Sequence, residues 1–257
     1  MRNNRKFQTG LDELGITLTK EQFQQFEQYY DLLIEWNNVM NLTAITEYSE
    51  VITKHFLDSL SIVKLRDVSC ETFKGFEEES KLLDLGTGAG FPGIPLKIAF
   101  PKLNIVLLDS LNKRINFLKE VIKQLSLEGI SAVHGRAEEF GRKEEFRENY
   151  DYCVSRAVAR LVSLCEYCLP FVKKGGYFIS YKSGKVEEEL AEADYAIGQL
   201  GAKNERKVSF LLPDSDMERS LLLIRKCKET PRKYPRAGGK PISHPLIEKR
   251  NVSHETK

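Results

Sequence analysis

The run Leu82-Leu83-Asp84-Leu85-Gly86-Thr87-Gly88-Ala89-Gly90-Phe91-Pro92-Gly93 constrains this chain more than any other stretch. An apolar segment stops at Leu85, glycines then alternate with other residues, and a proline stands where a helix would begin. Glycine accepts backbone conformations closed to other residues, and proline in the first turn of a helix forfeits no hydrogen bond. The sequence therefore predicts strand, tight turn and helix in immediate succession, with turn amides free to approach a ligand.

The rest of the chain extends that unit. Apolar runs at Lys81–Leu85, Asn104–Asp109, Ile130–His134, Tyr150–Ser155 and Gly176–Tyr181 alternate with helical stretches near 93–100, 112–126, 157–172 and 184–200. Such alternation predicts successive βαβ units, hence a parallel sheet with helices on both faces. Lys207–Leu212 and Arg219–Arg225 follow, too close together for a parallel crossover, and predict an antiparallel hairpin at the end of the sheet. The expected fold is thus α/β, with a seven-stranded, mostly parallel sheet. Ahead of it, Thr19 and Gln22 form a capping box for a helix carrying Phe23, Phe26, Tyr30, Leu33, Trp36 and Met40, and a second helix is expected from about Glu47 to Leu65. Three parts are expected: a helical segment over 1–68, the α/β domain over 69–228, and a basic, proline-rich tail over 229–257. The tail, with Pro231, Pro235, Pro241 and Pro245, is expected to lie extended over the surface.

Composition removes several classes. No stretch nears the roughly 20 apolar residues of a bilayer span, and the first residues carry charge with no apolar segment behind them. Five scattered cysteines do not make a disulfide framework and suit a reducing, cytoplasmic setting. Cys165 and Cys168 form a single CxxC inside an apolar helix, and packing accounts for them better than metal binding, so no metal is expected. Net charge is +2, divided between +7 from Arg225 to Lys257 and −5 over the remainder. A mildly acidic body with a basic tail suits a polyanionic partner.

The glycine register discriminates among ligands. A dinucleotide loop needs G-x-G-x-x-G directly after the strand, and from Gly86 its last glycine would fall on Phe91. Asp109 ends the next apolar run, where an acidic residue in nucleoside-binding α/β folds accepts from both ribose hydroxyls. The spacing G-x-G-x-G resembles the nucleoside loop of class I S-adenosylmethionine methyltransferases, whose Rossmann-like fold matches the predicted sheet. A nicotinamide-dependent oxidoreductase and a non-catalytic RNA-binding protein of the same fold remain alternatives on the residues alone.

Seven blocks in order extend the likeness. They are Asn41-Leu42-Thr43, His55-Phe56-Leu57-Asp58-Ser59, the Asp84–Pro95 loop, Leu108–Arg114, Gly135-Arg136-Ala137-Glu138-Glu139, Ser155-Arg156-Ala157-Val158-Ala159 and Lys233-Tyr234-Pro235-Arg236. Together they resemble the bacterial RsmG (GidB) family of 16S ribosomal RNA guanine-N7 methyltransferases over nearly the whole chain. The resemblance implies S-adenosylmethionine as cofactor and 16S RNA, or the small ribosomal subunit, as partner, with the target guanine in the 530 loop. It implies a cofactor site at Gly86, Gly88, Gly90, Phe91, Asp109, Ala137, Glu138 and Arg156. The family often carries a further basic residue after Tyr-Pro-Arg, where this chain has Ala237.

Guanine N7 carries a free lone pair at neutral pH, so its methylation requires alignment rather than a strong base. The residues after the fourth strand agree: Ser155-Arg156-Ala157 is neither the tetrapeptide expected for adenine amino methylation nor a Pro-Cys nucleophile. Arg156 is expected to orient the target, bonding guanine O6 or a phosphate. His55, Asp58 and Ser59 sit within about one turn of a helix, too close in sequence for a triad. His55 and Asp58 are instead candidates for the substrate mouth, with Asn41, Lys182, and Arg232, Lys233 and Arg236 of the tail as RNA contacts. Asp84 is expected to fix the loop through amide bonds. Deleting residues 230–257 is expected to weaken RNA binding and leave cofactor affinity unchanged. A monomer is expected.

Overall fold

In the computed structural model, the described residues are 4–66, 76, 79–156, 159–184 and 186–248. Seven strands form one sheet in the order β3-β2-β1-β4-β5-β7-β6. They are β1 (Ser80–Leu85), β2 (Leu103–Asp109), β3 (Ile130–His134), β4 (Tyr150–Ser155), β5 (Val172–Ser183), β6 (Ala202–Leu211) and β7 (Glu218–Lys226). The first five are parallel, and β7 inserts antiparallel between β5 and β6. The predicted hairpin is therefore present; β6 begins five residues before its apolar run and ends one residue sooner, and β7 extends one residue beyond its run at each end.

Helices cover both faces, as expected. Leu82, Ile105, Leu107, Leu221 and Leu223 face one apolar cluster, and Leu83, Leu108, Leu222 and Ile224 face the other. That alternation is the two-residue period of a strand buried on both sides. On the first face lie α1 (Arg5–Glu13), α2 (Lys20–Met40), α5 (Gly93–Ala99) and α6 (Asn112–Gln124); α8 (Leu161–Cys168) and α9 (Glu187–Gln199) lie on the second. The short helix α7 (Ala137–Phe140) follows β3, and α10 (Lys240–Ser243) lies within the tail with Pro241 in its first turn.

The N-terminal helices share the sheet's core. Phe7, Phe26 and Phe56 pack in the same cluster as Phe91 and Ile94. The capping box at Thr19 and Gln22 is formed, and Gln22 Nε2 also reaches the carbonyl of Ile98 at 2.7 Å, tying α2 to α5. The expected second helix is one helical run of changing pitch: α3 (Tyr48–Val51), a π-helical turn Ile52–Leu57, α4 (Asp58–Leu60) and a 3-10 turn Ser61–Leu65. π-Turns widen a helix locally and re-aim its side chains, and this one carries His55.

The tail departs from expectation. It is turned and bonded rather than extended, with Tyr234 buried and α10 folded near its end. Arg142 donates to the carbonyls of Lys233 and Pro235, and Arg147 to those of Thr230 and Tyr234. The prolines remove amide donors, and these two arginines from the segment after α7 supply replacements. The expected tail beyond residue 248 lies outside the described residues, as do most of Ser69–Ser80 and Ala157–Val158.

Candidate functional site

The carboxyl ends of the parallel strands form the site, where open α/β sheets hold their ligands. The glycine turn is fixed from below by Asp84, whose Oδ2 accepts from Thr87 Oγ1 at 2.7 Å and from Gly93 N at 2.8 Å. Burial pushes the Asp84 carboxyl up to about 7 against the pull of those two bonds. From the other side Tyr29 of α2 donates to the carbonyl of Ala89 at 2.5 Å. Gly90 has φ +100°, and a Cβ there would meet Ile94, Tyr29 and Leu118 within 2.9 Å, so glycine is required on two counts.

Asp109 closes the turn. Its Oδ2 accepts from Gly88 N and its Oδ1 from Leu111 N, each at 2.9 Å, while Arg114 stands 3.3 Å from Oδ2. A carboxylate offers about four acceptor positions, so this buried group retains capacity toward the cleft beside it. The cleft has a volume of about 490 Å³ and is lined by Gly86, Asp109, Ala137 and Glu138, four of the residues expected around a cofactor. Glu138 sits on α7, largely buried, with Arg136 at 3.9 Å. Tyr167, Gly239 and Ile242 line the same cleft. Sequence reasoning missed all three, since they arrive from α8 and the tail with no motif of their own.

The structure distributes the other expected cofactor residues differently. Gly88 is bonded to Asp109 but does not line the cleft, and Gly90 and Phe91 lie beneath the turn. Phe91 is 6% exposed, because its ring stacks on His55 at 4.4 Å and meets Tyr29 at 5.4 Å. Arg156 lies over the same ring, its Cζ 5.1 Å from the centroid.

Arg156 opens onto a second pocket of about 400 Å³, lined also by Lys54, His55, Asp58, Lys182, Glu189 and Arg219. Its Nη1 donates to the carbonyl of Lys54 at 3.0 Å and to Asp58 Oδ2 at 2.7 Å, and its Nη2 faces His55 Nδ1 at 3.2 Å. The opposite oxygen of Asp58 accepts from Arg219 Nε at 2.9 Å. His55 Nε2 meets Thr43 Oγ1 at 2.9 Å. Burial, reinforced by Arg156, holds the His55 pKa down at about 3. Lys182 is spent on Glu189 at 2.7 Å and on the carbonyl of Ala159 at 3.0 Å. Arg219 was absent from the sequence expectation. It reaches the pocket through the pairing of β7 with β5, which sets it opposite Ser183.

The remaining candidates stand apart. Asn41 ends α2 in the left-handed conformation, φ 50°, and lines neither pocket. Arg232 and Lys233 are exposed on the tail. Arg236 is engaged by Glu166, whose carboxylate is 1% exposed, through contacts of 2.7 to 3.1 Å. Cys165 and Cys168 are fully buried in the second apolar cluster, and no group of three metal-ligating side chains occurs among the described residues.

A family model described as GidB, rRNA small subunit methyltransferase G, matches residues 22–219. The ribosomal RNA small subunit methyltransferase G of Lachnoclostridium phytofermentans is 65% identical over 97% of this chain and 100% of that protein. The protein of the same description from Alkaliphilus metalliredigens is 54% identical over 92% of this chain and 96% of its own length. Among solved structures, MtNAS in complex with MTA and tNA aligns with a TM-score of 0.52 at 13% identity, covering 80% of this chain and 71% of that one. A variant of MtNAS in complex with S-adenosylmethionine gives 0.52 at 14% identity, over 81% and 73%. At those identities the structures support the fold alone.

Proposed function

The chain belongs to the rRNA small subunit methyltransferase G family, and from that premise we propose that it methylates N7 of one guanine in the 530 loop of 16S ribosomal RNA. It is an S-adenosylmethionine-dependent rRNA methyltransferase, which sets aside the oxidoreductase and the non-catalytic readings. Its cleft suits that cofactor. The buried Asp109 carboxylate, already accepting from Gly88, Leu111 and Arg114, keeps acceptor capacity for one ribose hydroxyl, Ala137 and Glu138 border the same cavity, and Gly86 brings backbone to its edge. S-adenosylmethionine supplies an electrophilic methyl group when bound there; everything else is alignment by this chain.

One observation carries the choice of N7. The acidic and imidazole groups lining the second pocket are already engaged as acceptors. Both oxygens of Asp58 take arginine donors, and Glu189 Oε1 takes Lys182 Nζ and the amide of Leu161. His55 is neutral, with Nδ1 facing Arg156 and Nε2 facing Thr43. Such a pocket is poorly supplied with a general base, and N7 is a target that needs none. Arg156 is fixed through Nη1 by Asp58 and by the carbonyl of Lys54, and offers guanine O6 or a phosphate the donors that these contacts and the one between Nη2 and His55 leave over. Proximity and orientation are worth effective molarities on the order of 10⁵–10⁸ M in well-aligned systems.

In the same reading the enzyme acts as a monomer in the cytoplasm on 16S RNA or the small subunit, with Arg232 and Lys233 as cations toward RNA. No helix among the described residues is long and apolar enough to cross a membrane. The test is transfer of labelled methyl from S-adenosylmethionine to small subunits and to naked 16S RNA from cells lacking this protein, with the modified base mapped by strand cleavage at N7-methylguanine. One methylated guanine in the 530 loop is expected. Label confined to another atom or another loop overturns the assignment.

A further inference from the structure

The outer wall of the first cleft is built by the far end of the chain. Gly239 and Ile242 border the same cavity as Asp109 and Glu138, and Ile242 is 62% exposed beside it. Its seat is well fixed. Arg236 donates from its backbone N and its guanidinium to the buried Glu166, and its Nη2 holds the carbonyl of His244 at 2.7 Å. Ser163 Oγ donates to the carbonyl of Pro241, immediately before Ile242, at 2.8 Å. Ser163 and Glu166 both belong to α8, whose Tyr167 faces the same cleft. A carboxylate buried as deeply as Glu166 is tolerated only when paired, so the pair locks the segment to α8.

We infer that Ile242 is part of the donor-binding site and covers the outer face of the adenine ring. The inference rests on the reading of this cleft as the S-adenosylmethionine site. Asp109 and Glu138 supply polar contacts along the cleft, and Leu108 at the end of β2 supplies an apolar floor. A purine is flat and apolar on both faces, and an adenine on that floor would leave its second face to water. Ile242 is an unburied aliphatic group on the open side of the cavity, and covering the ring removes both apolar surfaces from water at once. The geometry also revises the expectation for the tail: removal of residues 230–257 weakens donor binding as well as RNA binding.

The experiment is calorimetric titration of the full-length protein with S-adenosylhomocysteine and, separately, with adenosine. Ile242→Asp is expected to weaken both by the same factor, roughly ten-fold, while Ile242→Leu stays within about two-fold. Val39→Asp, at an 84% exposed position on α2, serves as control and is expected to leave both unchanged. Thermal melts of Ile242→Asp are expected to match the parent, since the side chain is exposed. Unchanged affinity in Ile242→Asp overturns the inference, and so does a loss for S-adenosylhomocysteine that spares adenosine. If the parent protein binds neither compound, the donor-site reading itself falls.

Discussion

Arg156 presents Nη2 to Nδ1 of His55 across 3.2 Å, and the carbonyl of Lys54 stands 3.1 Å from the same nitrogen. Burial, with the charge of Arg156 adding to it, keeps the imidazole neutral inside a pocket lined by several charged groups. With its pKa near 3 in the fold and about 6.5 when unfolded, only the unfolded chain takes up the proton between those values. The contribution of His55 is therefore complete above pH 6.5 and is lost as pH falls toward 3. Urea unfolding of the parent and of His55→Gln at several pH values checks this. The stability difference between them is expected to shift against the parent by an amount on the order of 4 kcal/mol across that window. Parallel curves would refute it.

Asp84 has the opposite slope. Its carboxyl is raised to about 7, so between pH 3.8 and 7 the fold retains a proton that the unfolded chain has released. Stability from this group is present at low pH and declines as pH rises through the window. Asp84→Asn has no charge to develop, and relative to the parent it is expected to gain on the order of a few kcal/mol from pH 4 to pH 7. Denaturant midpoints at the two pH values measure the gain, and no change in the difference would contradict it.

Asp58 joins two arginines, Arg219 of β7 and Arg156 just after β4, so substitutions of Asp58 and of Arg156 differ in kind. Arg156→Ala leaves Asp58 paired with Arg219, and the protein is expected to fold while turnover falls by about 100-fold or more. Asp58→Ala leaves two guanidinium groups facing each other in a largely buried setting, at a cost of about 3 kcal/mol in stability. Circular dichroism melts and single-turnover methyl transfer separate the effects. Near-parental turnover in Arg156→Ala would remove that residue from the site.

Much of this was legible in the chain. The limits of β1 to β4 follow from apolar runs, whereas β5 and β6 begin several residues before theirs, and Thr19 with Gln22 announced α2. The first helix was not seen, because its nine residues offer few apolar positions, no capping side chain and a mid-helix Gly10. That glycine is there for approach: a Cβ would stand 2.3 Å from Leu57. Gly86 and Asp109 were readable because a turn and the next strand end are neighbours in any parallel sheet. Arg219 and Ile242 were not. They reach the site through the register of an antiparallel strand and through a buried ion pair, neither of which leaves a local pattern.

The glycines of the turn are unequal. A Cβ at Gly88, φ +60°, meets nothing within 4 Å, whereas at Gly90 it strikes three side chains. Gly88→Ala is expected to cost about 1 kcal/mol through backbone strain, and Gly90→Ala about 3 kcal/mol or more with overpacking added. Guanidinium denaturation of the pair measures the gap, and equal losses would contradict the packing around Tyr29.

The Arg236–Glu166 pair predicts an asymmetry. Arg236 is 25% exposed in its side chain and can turn to water when Glu166 is removed, but Glu166 is 1% exposed and has no such escape. Arg236→Ala is thus expected to destabilise by about 3 kcal/mol, more than Glu166→Ala, and chemical unfolding of both variants tests the order.

The partnership of Asp58 with Arg219 spans 161 residues, and β7 must enter between β5 and β6 before it can form. During synthesis the early helices and the first five strands emerge well ahead of the residue that completes the pocket. A nascent chain halted before residue 219 would leave one oxygen of Asp58 unclaimed, and the cleft beside Asp109 would lack the wall from residue 242. Both pockets thus take their final form only when the last strand and the segment behind it have left the ribosome, so a half-made copy lacks the finished geometry of either.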